Sequence, residues 1–511
     1  MTVTVLSGAQ VLPDSRSAAR PADLVIRDGR IAAIEPAGTA PATAADTFVD
    51  ATRLLLAPGL VNGHLHSWDH YLKGCLENLT MEVAMALIRP RRPVQITPRQ
   101  MYLRTMIGAI ESLRTGATTL VDDLSLGQTF SREHVDAALQ AYSDAGVRAL
   151  VGFSMIDRAV VDSYPYLDEC FPADLLAELR ALPRPQADTL LDLVTDLADS
   201  HHPASSRVGV LVAPSAPHRC TDDFLRRCRR LADDLALPVM THCQETRMQI
   251  VTGHEFYGKS MVAHMAEIGF IKPDTTLIHG VWLSKRDIAL IADLGATVQY
   301  NPWSNAIIGA GIAPVRACLD AGINVSMGTD GVGLPFGVNM LNAMGIGAVL
   351  PNLASPDMKQ WLTAAEILRA STEGGAAALG MGNEIGRIAV GMKADLVGYR
   401  LDSTTFTPLN DPVRQIVYSE RGSNIALAVV DGRIVMRDGR LTTIDETAVL
   451  REAQSAHAEL IDQLMSSQVD TAPFKHAIEA VYLKSLSCPI AHDYYAAMVT
   501  GNNIAATGGV P

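Results

Sequence analysis

Two histidines, His64 and His66, stand two residues apart, just after an apolar run that ends in Pro58-Gly59. The run, continued by Leu60-Val61, is typical of a buried strand, and residues two apart on a strand leave from the same face. Two imidazoles side by side form half of a metal site. From these two residues alone, a chance pair with one buried and one exposed histidine is an equally good interpretation.

Other predicted strands also end in residues that could bind a metal or transfer a proton. His242 and Glu245 stand in Thr-His-Cys-Gln-Glu, His279 in Leu-Ile-His-Gly, and Asp330 in Gly-Thr-Asp-Gly. Imidazole and carboxylate groups are ligands of first-row divalent metals. Each histidine taken singly could be a hydrogen-bonded core residue, but the whole set at strand ends favours one metal centre.

The elements that must position these residues are short apolar strands in alternation with helical patterns. The predicted strands are the Leu60 strand and residues 117–122, 147–156, 208–214, 238–243, 275–280, 296–302 and 324–331. Eight such strands over roughly 300 residues predict an α/β fold, a (β/α)8 TIM-like barrel with its chemistry at the carboxyl ends of the strands. A doubly wound open sheet is the alternative, but no Gly-x-Gly-x-x-Gly motif follows the first strand.

The two ends of the chain carry similar hairpin signals. Residues 23–34 turn at Asp28-Gly29, and residues 426–436 turn at Asp431-Gly432, in each case between short apolar runs. An Asp-Gly pair between such runs is a strong hairpin signal. We therefore expect both ends to build one small domain together. A divergent internal repeat is the alternative, but no period runs between the two ends.

These signals divide the chain into three predicted parts. They are a composite β-sandwich domain of residues 1–58 and 388–448, a barrel of residues 59–387, and a helical C-terminal extension of residues 449–511 with a loose tail. The extension is better suited to oligomer contact or to a lid than to chemistry.

Composition limits the partners of the chain. The net charge of −13 over 511 residues argues against nucleic acid, which needs clustered Lys and Arg. No long apolar run indicates a membrane span. The seven cysteines include no Cys-x-x-Cys pair, so we expect a reducing compartment and a cytoplasmic location. We also expect a homo-oligomer, a dimer or larger.

Several motifs in a fixed order carry a family resemblance. They are Pro-Gly-Leu-Val-Asn-Gly-His-Leu-His at 58–66, His-Cys-Gln-Glu at 242–245, Leu-Ile-His-Gly at 277–280, Asn-Pro-Trp-Ser-Asn at 301–305, Gly-Ala-Gly-Ile-Ala-Pro-Val at 309–315, Gly-Thr-Asp-Gly at 328–331 and Ala-Asp-Leu-Val at 394–397. Together they resemble the amidohydrolase superfamily. The branch is that of cytosine, guanine and S-adenosylhomocysteine deaminases and of triazine hydrolases similar to atrazine chlorohydrolase. The likeness covers roughly residues 1–450.

The resemblance implies roles for the residues named above. Four would be metal ligands, and they are His64, His66, His242 and Asp330. His279 would ligate the metal or contact its water, and Glu245 matches the proton-shuttling glutamate of the deaminases. Binuclear members often carry a carboxylated lysine on the fourth strand, whereas residues 208–214 contain no lysine. The resemblance therefore implies one divalent metal per chain, zinc in the first place and iron as the alternative.

The chain departs from similar deaminases at positions that face substrate. Tyr300 stands where a histidine usually precedes Asn-Pro-x-Ser-Asn, Trp282 stands at another histidine position, and Pro-Ser-Ala-Pro-His at 214–218 replaces Pro-His-x-Pro-Tyr. Aromatic faces suit a flat ring, although they could equally pack beneath the rim. The predicted substrate contacts are Tyr300, Trp282, Ser215, His218, Glu77 and Trp303.

These residues predict a metal-dependent hydrolase, a deaminase of a compact amino-substituted N-heterocycle of purine, pyrimidine, pterin or triazine type. A metal-bound hydroxide would attack the ring carbon, Asp330 would take the proton of the water, and Glu245 would protonate the ring nitrogen. We expect poor activity on adenosine-type substrates, because the relatives that use them rely on the missing histidines.

Two other functions remain open from the sequence. The same chemistry could release chloride or an alkylamine from a triazine-like ring, or open a cyclic amide. Alternatively, the chain could be a catalytically silent, metal-stabilised binding protein. The presence of Glu245 beside a full ligand set speaks against that last alternative.

Overall fold

Five strands at the start of the chain pair with one another before the barrel begins. The computed structural model describes residues 2–40, 45–88, 94–126, 130–182, 187–331, 337–469 and 472–496. The strands are β1 (Val3–Val11), β2 (Arg20–Arg27), β3 (Arg30–Pro36), β4 (Thr47–Asp50) and β5 (Leu54–Pro58). β1, β2 and β3 are antiparallel neighbours, and both residues of the Asp28-Gly29 turn have positive φ angles. That conformation is the one the Asp-Gly signal predicts.

Eight strands then form a closed barrel. They are β6 (Leu60–Leu65), β7 (Ala117–Asp123), β8 (Arg148–Gly152), β9 (Val208–Val210), β10 (Val239–Cys243), β11 (Thr275–His279), β12 (Thr297–Tyr300) and β13 (Asn324–Met327). Parallel pairing runs from β6 to β9 and again from β10 to β13. Single parallel bridges, Val212 with Val239 and Leu65 with Asp330, join the two runs. The predicted (β/α)8 barrel is confirmed.

Several barrel strands are shorter than predicted, β8 and β9 among them. Residues 147–156 contribute only five residues to β8, and residues 208–214 contribute only three to β9. Beyond these points an isolated bridge pairs Met155 with Pro214. Ser154 has a φ of 35°, which takes the backbone out of the extended conformation. The residues that follow β8 and β9 therefore belong to the loops at the rim of the barrel and not to its strands.

Helices surround the barrel, and their boundaries follow sequence signals. In the described residues the α-helices are α1 (Met81–Ile88), α2 (Pro98–Arg114), α3 (Arg132–Ala145), α4 (Leu167–Cys170), α5 (Ala173–Arg180), α6 (Ala187–Ala198), α7 (Asp222–Leu235), α8 (Arg247–Tyr257), α9 (Met261–Glu267), α10 (Lys285–Leu294), α11 (Pro302–Ile307), α12 (Val315–Asp320), α13 (Met340–Ala354), α14 (Ala364–Arg369), α15 (Gly375–Ala378), α16 (Pro412–Tyr418), α17 (Glu446–Val469) and α18 (Ala472–Ser487). α2 begins with a capping box of Thr97 and Gln100 and has Pro98 at its first position. A π-helical turn, Ala370–Gly374, separates α14 from α15.

Both ends of the chain meet in one nine-stranded sheet beside the barrel. Its remaining strands are β14 (Leu396–Arg400), β15 (Ile425–Val430), β16 (Arg433–Arg437) and β17 (Arg440–Leu441). β14 pairs with β5, which links the two ends directly. The two Asp-Gly turns also touch, since a Cβ atom on Gly432 would lie 2.4 Å from Cα of Gly29. Their close approach therefore requires glycine at both positions.

A buried ion pair attaches this sheet to the barrel. Arg148, on β8, is 1% exposed. Its Nε donates to Oδ2 of Asp395 at 2.8 Å, and its Nη2 donates to Oδ1 of Asp431 at 3.2 Å. Because a buried charge without a partner is costly, removal of either carboxylate would weaken the junction.

The C-terminal extension consists of two helices in its described part. α17 packs on α2, and α18 packs on α1 and α8 near the rim. Both helices are a few residues longer than the predicted segments, 449–465 and 473–486, because their ends continue the helical pattern. The predicted loose tail, residues 501–511, lies outside the described residues. No described helix has the length and apolar character needed to cross a membrane.

Candidate metal centre and cavity

Three strand ends place chemically active side chains by means of unusual backbone conformations. Gln244, His279 and Asp330 have φ angles of 51°, 77° and 67°. Non-glycine residues rarely adopt positive φ, and those that do concentrate at functional sites. At each position the chain turns sharply where the strand stops. The turn directs the neighbouring side chains toward the barrel axis.

Five predicted residues converge at this rim. The ligand-capable atoms of His64, His66 and His242 lie within 4.8 Å of one another, as do those of His64, His279 and Asp330. Oδ1 of Asp330 lies 3.4 Å from Nε2 of His64 and 3.3 Å from Nε2 of His66. Oδ2 of Asp330 lies 3.7 Å from Nε2 of His279. The two groups share His64, so the five side chains form one continuous cluster of possible ligands.

Hydrogen bonds from the other ring nitrogen orient three of the histidines. Nδ1 of His66 bonds to the carbonyl oxygen of Asp123 at 2.9 Å, and Nδ1 of His242 bonds to that of Ser215 at 2.7 Å. Nδ1 of His279 bonds to Oδ1 of Asn305 at 3.0 Å. These bonds fix the tautomer, so each Nε2 lone pair is available to a metal.

His64 provides the test of whether a metal fits. The residue is fully buried, and neither ring nitrogen has a hydrogen-bond partner. Burial lowers the pKa of His64 to about 4, which keeps the ring neutral. Buried polar groups almost always have a partner, and a neutral imidazole in a cluster of ligands is suited to a metal. The residues present therefore fit a divalent ion.

The electrostatic field of the cluster also favours a cation. Burial alone would lower the pKa of His66, but the hydrogen bond and the charge of Asp330 raise that pKa to about 10. Asp123 and Asp69 add to this effect. Despite burial, the histidines hold the pKa of Asp330 well below its usual value. A site that holds a proton this strongly is negative enough to attract a metal ion.

Glu245 lies beside the cluster in a closed environment. Its Oε1 is 3.6 Å from Nε2 of His279, and its Oε2 accepts a hydrogen bond from Nε2 of Gln249 at 3.3 Å. Burial raises the pKa of the carboxyl group. The prediction that Glu245 points into the site, and not to solvent, agrees with this placement.

The cluster forms the floor of a cavity of about 690 Å³, which includes its open mouth. Besides apolar side chains, its wall contains the hydroxyl groups of three serines and one guanidinium. The residues that line it, besides His66, His242, His279, Glu245 and Asp330, are Trp68, Asp69, Met81, Ala84, Met85, Ser154, Ser215, Arg219, Ser304, Ile308 and Gly331. The apolar part of this wall is suited to the faces of a flat heterocycle.

Most of the predicted substrate contacts lie elsewhere. Of the six, Ser215 lines the cavity. The side chain of Tyr300 points outward from β12 to α13, where its hydroxyl group donates to the carbonyl oxygen of Gly347 at 3.4 Å. Trp282 is buried in the core and donates from Nε1 to the carbonyl oxygen of Ala310. Strand alternation explains the correction for Tyr300, because its side chain leaves from the outer face.

The other three predicted contacts also lie off the cavity wall. His218 is buried in the turn Pro217–Arg219, where burial keeps the pKa of its ring well below the usual value. Glu77 is exposed in the loop before α1, and Trp303 is partly buried on α11. None of them is among the described residues that line the cavity. These three residues are close to strand ends in the sequence, but their side chains do not line the cavity.

Sequence reasoning missed several residues of the site. Asp123 and Asn305 orient ligand histidines, and Arg219 lines the cavity. Asp123 directly follows the predicted strand 117–122, so the signal used for Asp330 could have found it, although it orients His66 through its backbone carbonyl oxygen. Arg219 had no such signal, since it lies in a turn five residues beyond the predicted strand.

Comparison with known proteins identifies the family. The model of the Amidohydrolase family matches residues 55–435. A 5-methylthioadenosine/S-adenosylhomocysteine deaminase of Thermococcus kodakarensis is 32% identical over 437 residues, which are 85% of this chain and 94% of that protein. A 5'-deoxyadenosine deaminase of Methanosarcina mazei is 30% identical over 443 residues, 87% of this chain and 94% of that protein.

Solved structures agree at the level of the fold. An adenosine deaminase from Xanthomonas campestris with bound zinc has a TM-score of 0.78 and 27% identity, covering 90% of this chain and 98% of that one. The atrazine chlorohydrolase of Arthrobacter aurescens TC1, complexed with zinc, has a TM-score of 0.80 and 23% identity over 89% of this chain and all of that one. The chain belongs to the amidohydrolase family, and the predicted resemblance is confirmed.

Proposed function

We propose that the protein is a metal-dependent hydrolytic deaminase of an amino-substituted N-heterocycle of the purine type. The observation that carries the proposal is the convergence of four imidazoles and Asp330 with the buried carboxyl group of Glu245. The deaminase relatives support the same reaction. A catalytically silent binding protein would have no use for an acid and a base beside the ligands.

The chain would hold one divalent ion, zinc or alternatively iron, through His64, His66, His242, His279 and Asp330. When bound, such an ion lowers the pKa of a coordinated water from about 16 to about 7 and so makes a nucleophile available near neutral pH. The zinc-bound adenosine deaminase structure supports this metal.

The residues of the chain divide the proton transfers between them. The Asp330 carboxylate is placed to accept the proton of the attacking water. Glu245 is placed to donate a proton to the ring nitrogen, which makes the neighbouring carbon electrophilic. Asp330 or His279 then delivers a proton to the departing ammonia. Gln249 and Asn305 hold Glu245 and His279 in place for these steps.

Ser215, and not an aromatic residue, is the departure from similar deaminases that lines the cavity. Ser215 stands in the cavity wall at the position where similar deaminases have histidine, whereas Tyr300 and Trp282 contact no part of the cavity. We still predict that a compact aminated heterocycle is a better substrate than adenosine or S-adenosylhomocysteine.

Ammonia release tests the proposal. Purified protein with its native metal should release ammonia from at least one member of a panel of aminated purines, pyrimidines, pterins and triazines, and adenosine should be a poor substrate. Chloride release from chlorotriazines, without ammonia from any aminated ring, would instead identify a dechlorinase. Turnover of neither class by metal-loaded protein would remove the enzymatic proposal.

We also propose that the chain self-associates and resides in the cytoplasm. Leu353 and Met358, near the end of α13, are 79% and 74% exposed, which is unusual for large apolar side chains outside an interface. All seven cysteines are unpaired, as expected in a reducing compartment. Light scattering of the purified protein tests the first part, and a monomeric mass would contradict it. Fractionation of the source cells tests the second.

A further inference from the structure

Arg219 is a buried cation in the wall of the cavity. It ends the short turn Pro217–Arg219 after β9 and is 8% exposed. Its Nη1 donates to Oγ of Ser215 at 3.2 Å, while Nε is buried without a hydrogen-bond partner. A guanidinium carries five N–H donors in a planar fork, so one bond to Ser215 leaves most of its capacity unused.

The charge of Arg219 also lacks a close partner. No carboxylate of the described residues lies within 4.0 Å of its guanidinium, whereas Arg148, which is also buried, pairs with two. Glu82 and Glu245 sense the charge of Arg219 from farther away, and burial raises the pKa of both carboxyl groups. Arg104 is buried without a close carboxylate as well, but it does not line the cavity.

The surroundings of Arg219 indicate the kind of group that it could bind. The hydroxyl groups of Ser154, Ser215 and Ser304 and the carboxylate of Asp69 lie in the same cavity wall. The apolar part of the wall is formed by Trp68, Met81, Ala84, Met85 and Ile308. A buried guanidinium beside hydroxyl groups is suited to an anionic oxygen, and an apolar wall is suited to the ring that carries it. An apolar substituent at this position would leave the buried cation unpaired, which is costly.

We propose that Arg219 binds an electron-rich oxygen of the substrate, so that the heterocycle carries a carboxylate or a ring carbonyl oxygen in addition to its amine. The inference rests on the proposed deaminase function and names the substrate class of the same cavity. The shared chemistry is an oxygen acceptor, which is fully charged in a carboxylate and partially negative in a ring carbonyl, so it has two sources. One source is an oxygen on the ring itself, as in oxidised purines and pyrimidines. The other source is a carboxylate carried on a substituent of the ring.

Two matched pairs of compounds separate these sources. Isoguanine differs from adenine by a ring oxygen, and pterin-6-carboxylate differs from pterin by a carboxylate. Each compound is tested for ammonia release and, independently, for binding to the metal-loaded protein by calorimetry. We expect the oxygenated member of at least one pair to bind about tenfold more tightly or better. Equal affinity within both pairs, or binding of none of the four, would overturn the proposal.

Two variants test whether Arg219 causes the preference. Arg219→Met removes the donors and keeps most of the volume, and Arg219→Lys keeps the charge but loses the fork. We expect Arg219→Met to abolish the preference and Arg219→Lys to retain part of it, with the loss in KM rather than in kcat. Arg226→Met, an exposed position on α7, is the matched control and should change nothing.

Metal content separates substrate binding from a structural role. Ser215 accepts a bond from Arg219 and also orients His242. If Arg219→Met loses metal together with affinity, or if neither variant folds while Arg226→Met does, Arg219 supports the metal site and the proposal fails. Preferential binding without ammonia release would preserve the role of Arg219 and remove the deaminase function. If the Arg219 variants release ammonia as fast as the parent protein does, the deaminase function is preserved and the role of Arg219 is removed.

Discussion

The side chain of Glu82 accepts a hydrogen bond from the hydroxyl group of Thr246, the residue that follows Glu245. Glu82 is fully buried on α1, and its second carboxyl oxygen has no hydrogen-bond partner. Burial raises the pKa of Glu82 from 4.5 to about 7, against the effect of the Thr246 bond. A protonated carboxyl group is therefore tied to the chain segment that carries Glu245.

This arrangement predicts a pH-dependent contribution to stability. In the unfolded chain Glu82 loses its proton near pH 4.5, whereas the folded protein keeps it to about pH 7. The stabilisation that protonated Glu82 gives the folded protein is therefore complete below pH 4.5 and is lost as the pH rises through about 7. The free energy of unfolding falls by about 3 kcal/mol at most over this window. Glu82→Gln, which cannot ionise, should gain stability relative to the parent protein over this window, as measured by thermal unfolding at about pH 5 and about pH 8.

Glu77→Gln is the control for this measurement. Glu77 is exposed in the loop that precedes α1, so its replacement should leave the pH dependence of the parent protein unchanged. If Glu82→Gln and the parent protein show the same difference in melting temperature between the two pH values, Glu82 is not a protonated buried acid.

Loss of one metal ligand should remove metal and activity together. His64→Ala deletes a neutral, fully buried imidazole whose ring nitrogens have no other partner. We expect metal content, measured by elemental analysis, to fall from about one ion per chain to well below one, and ammonia release to disappear. His492→Ala, at an exposed position, should retain both. Full metal content in His64→Ala would place the ion elsewhere.

Glu245→Gln should separate chemistry from metal binding. The substitution keeps the shape of the side chain and its contact with Gln249 but removes the proton that it donates. We expect unchanged metal content and a loss in kcat on the order of 10²-fold or more, the usual scale of general acid–base catalysis. Normal turnover would mean that the leaving group or ring nitrogen needs no proton from Glu245.

The outward position of Tyr300 predicts that its hydroxyl group has no role in catalysis. Tyr300→Phe loses one long hydrogen bond to Gly347 behind the barrel wall. We expect kcat/KM and metal content to stay within about twofold of the parent protein, with a loss of stability of about 1 kcal/mol. A large fall in kcat/KM at unchanged stability would show that Tyr300 does reach the substrate.

The sequence was sufficient to place His242, His279 and Asp330 in one site. Each lies at or just beyond the end of an apolar strand, and a closed barrel brings all strand ends to one rim regardless of their separation in the chain. The prediction therefore needed the strands and their number, and not the exact boundaries. Errors of several residues at the ends of β8 and β9 did no harm to it.

The side of the strand on which a residue lies was harder to predict. Tyr300 ends a four-residue strand that is buried on both faces, so its sequence shows no alternation to separate the inner face from the outer one. Arg219 reaches the cavity only because the chain makes a tight turn after the very short strand β9. Such turns depend on packing partners that are distant in sequence.

The last prediction concerns the C-terminal extension. Ile478, on α18, is fully buried and packs in one apolar cluster with Val83 of α1 and Met248 of α8. α1 also contributes Met81 and Met85 to the cavity wall, so α18 supports that wall from behind. Ile478→Ala should cost about 2–5 kcal/mol of stability and raise KM, because a cavity beneath α1 lets the wall shift.

Leu483→Ala, on the same helix, provides the matched control. Leu483 is 64% exposed, so the same kind of truncation should change the melting temperature and KM very little. Thermal unfolding and steady-state kinetics of the two variants give a direct comparison. If both variants have the melting temperature of the parent protein, the packing of α18 does not stabilise α1. If only stability falls and KM is unchanged, the extension stabilises the fold without shaping the cavity.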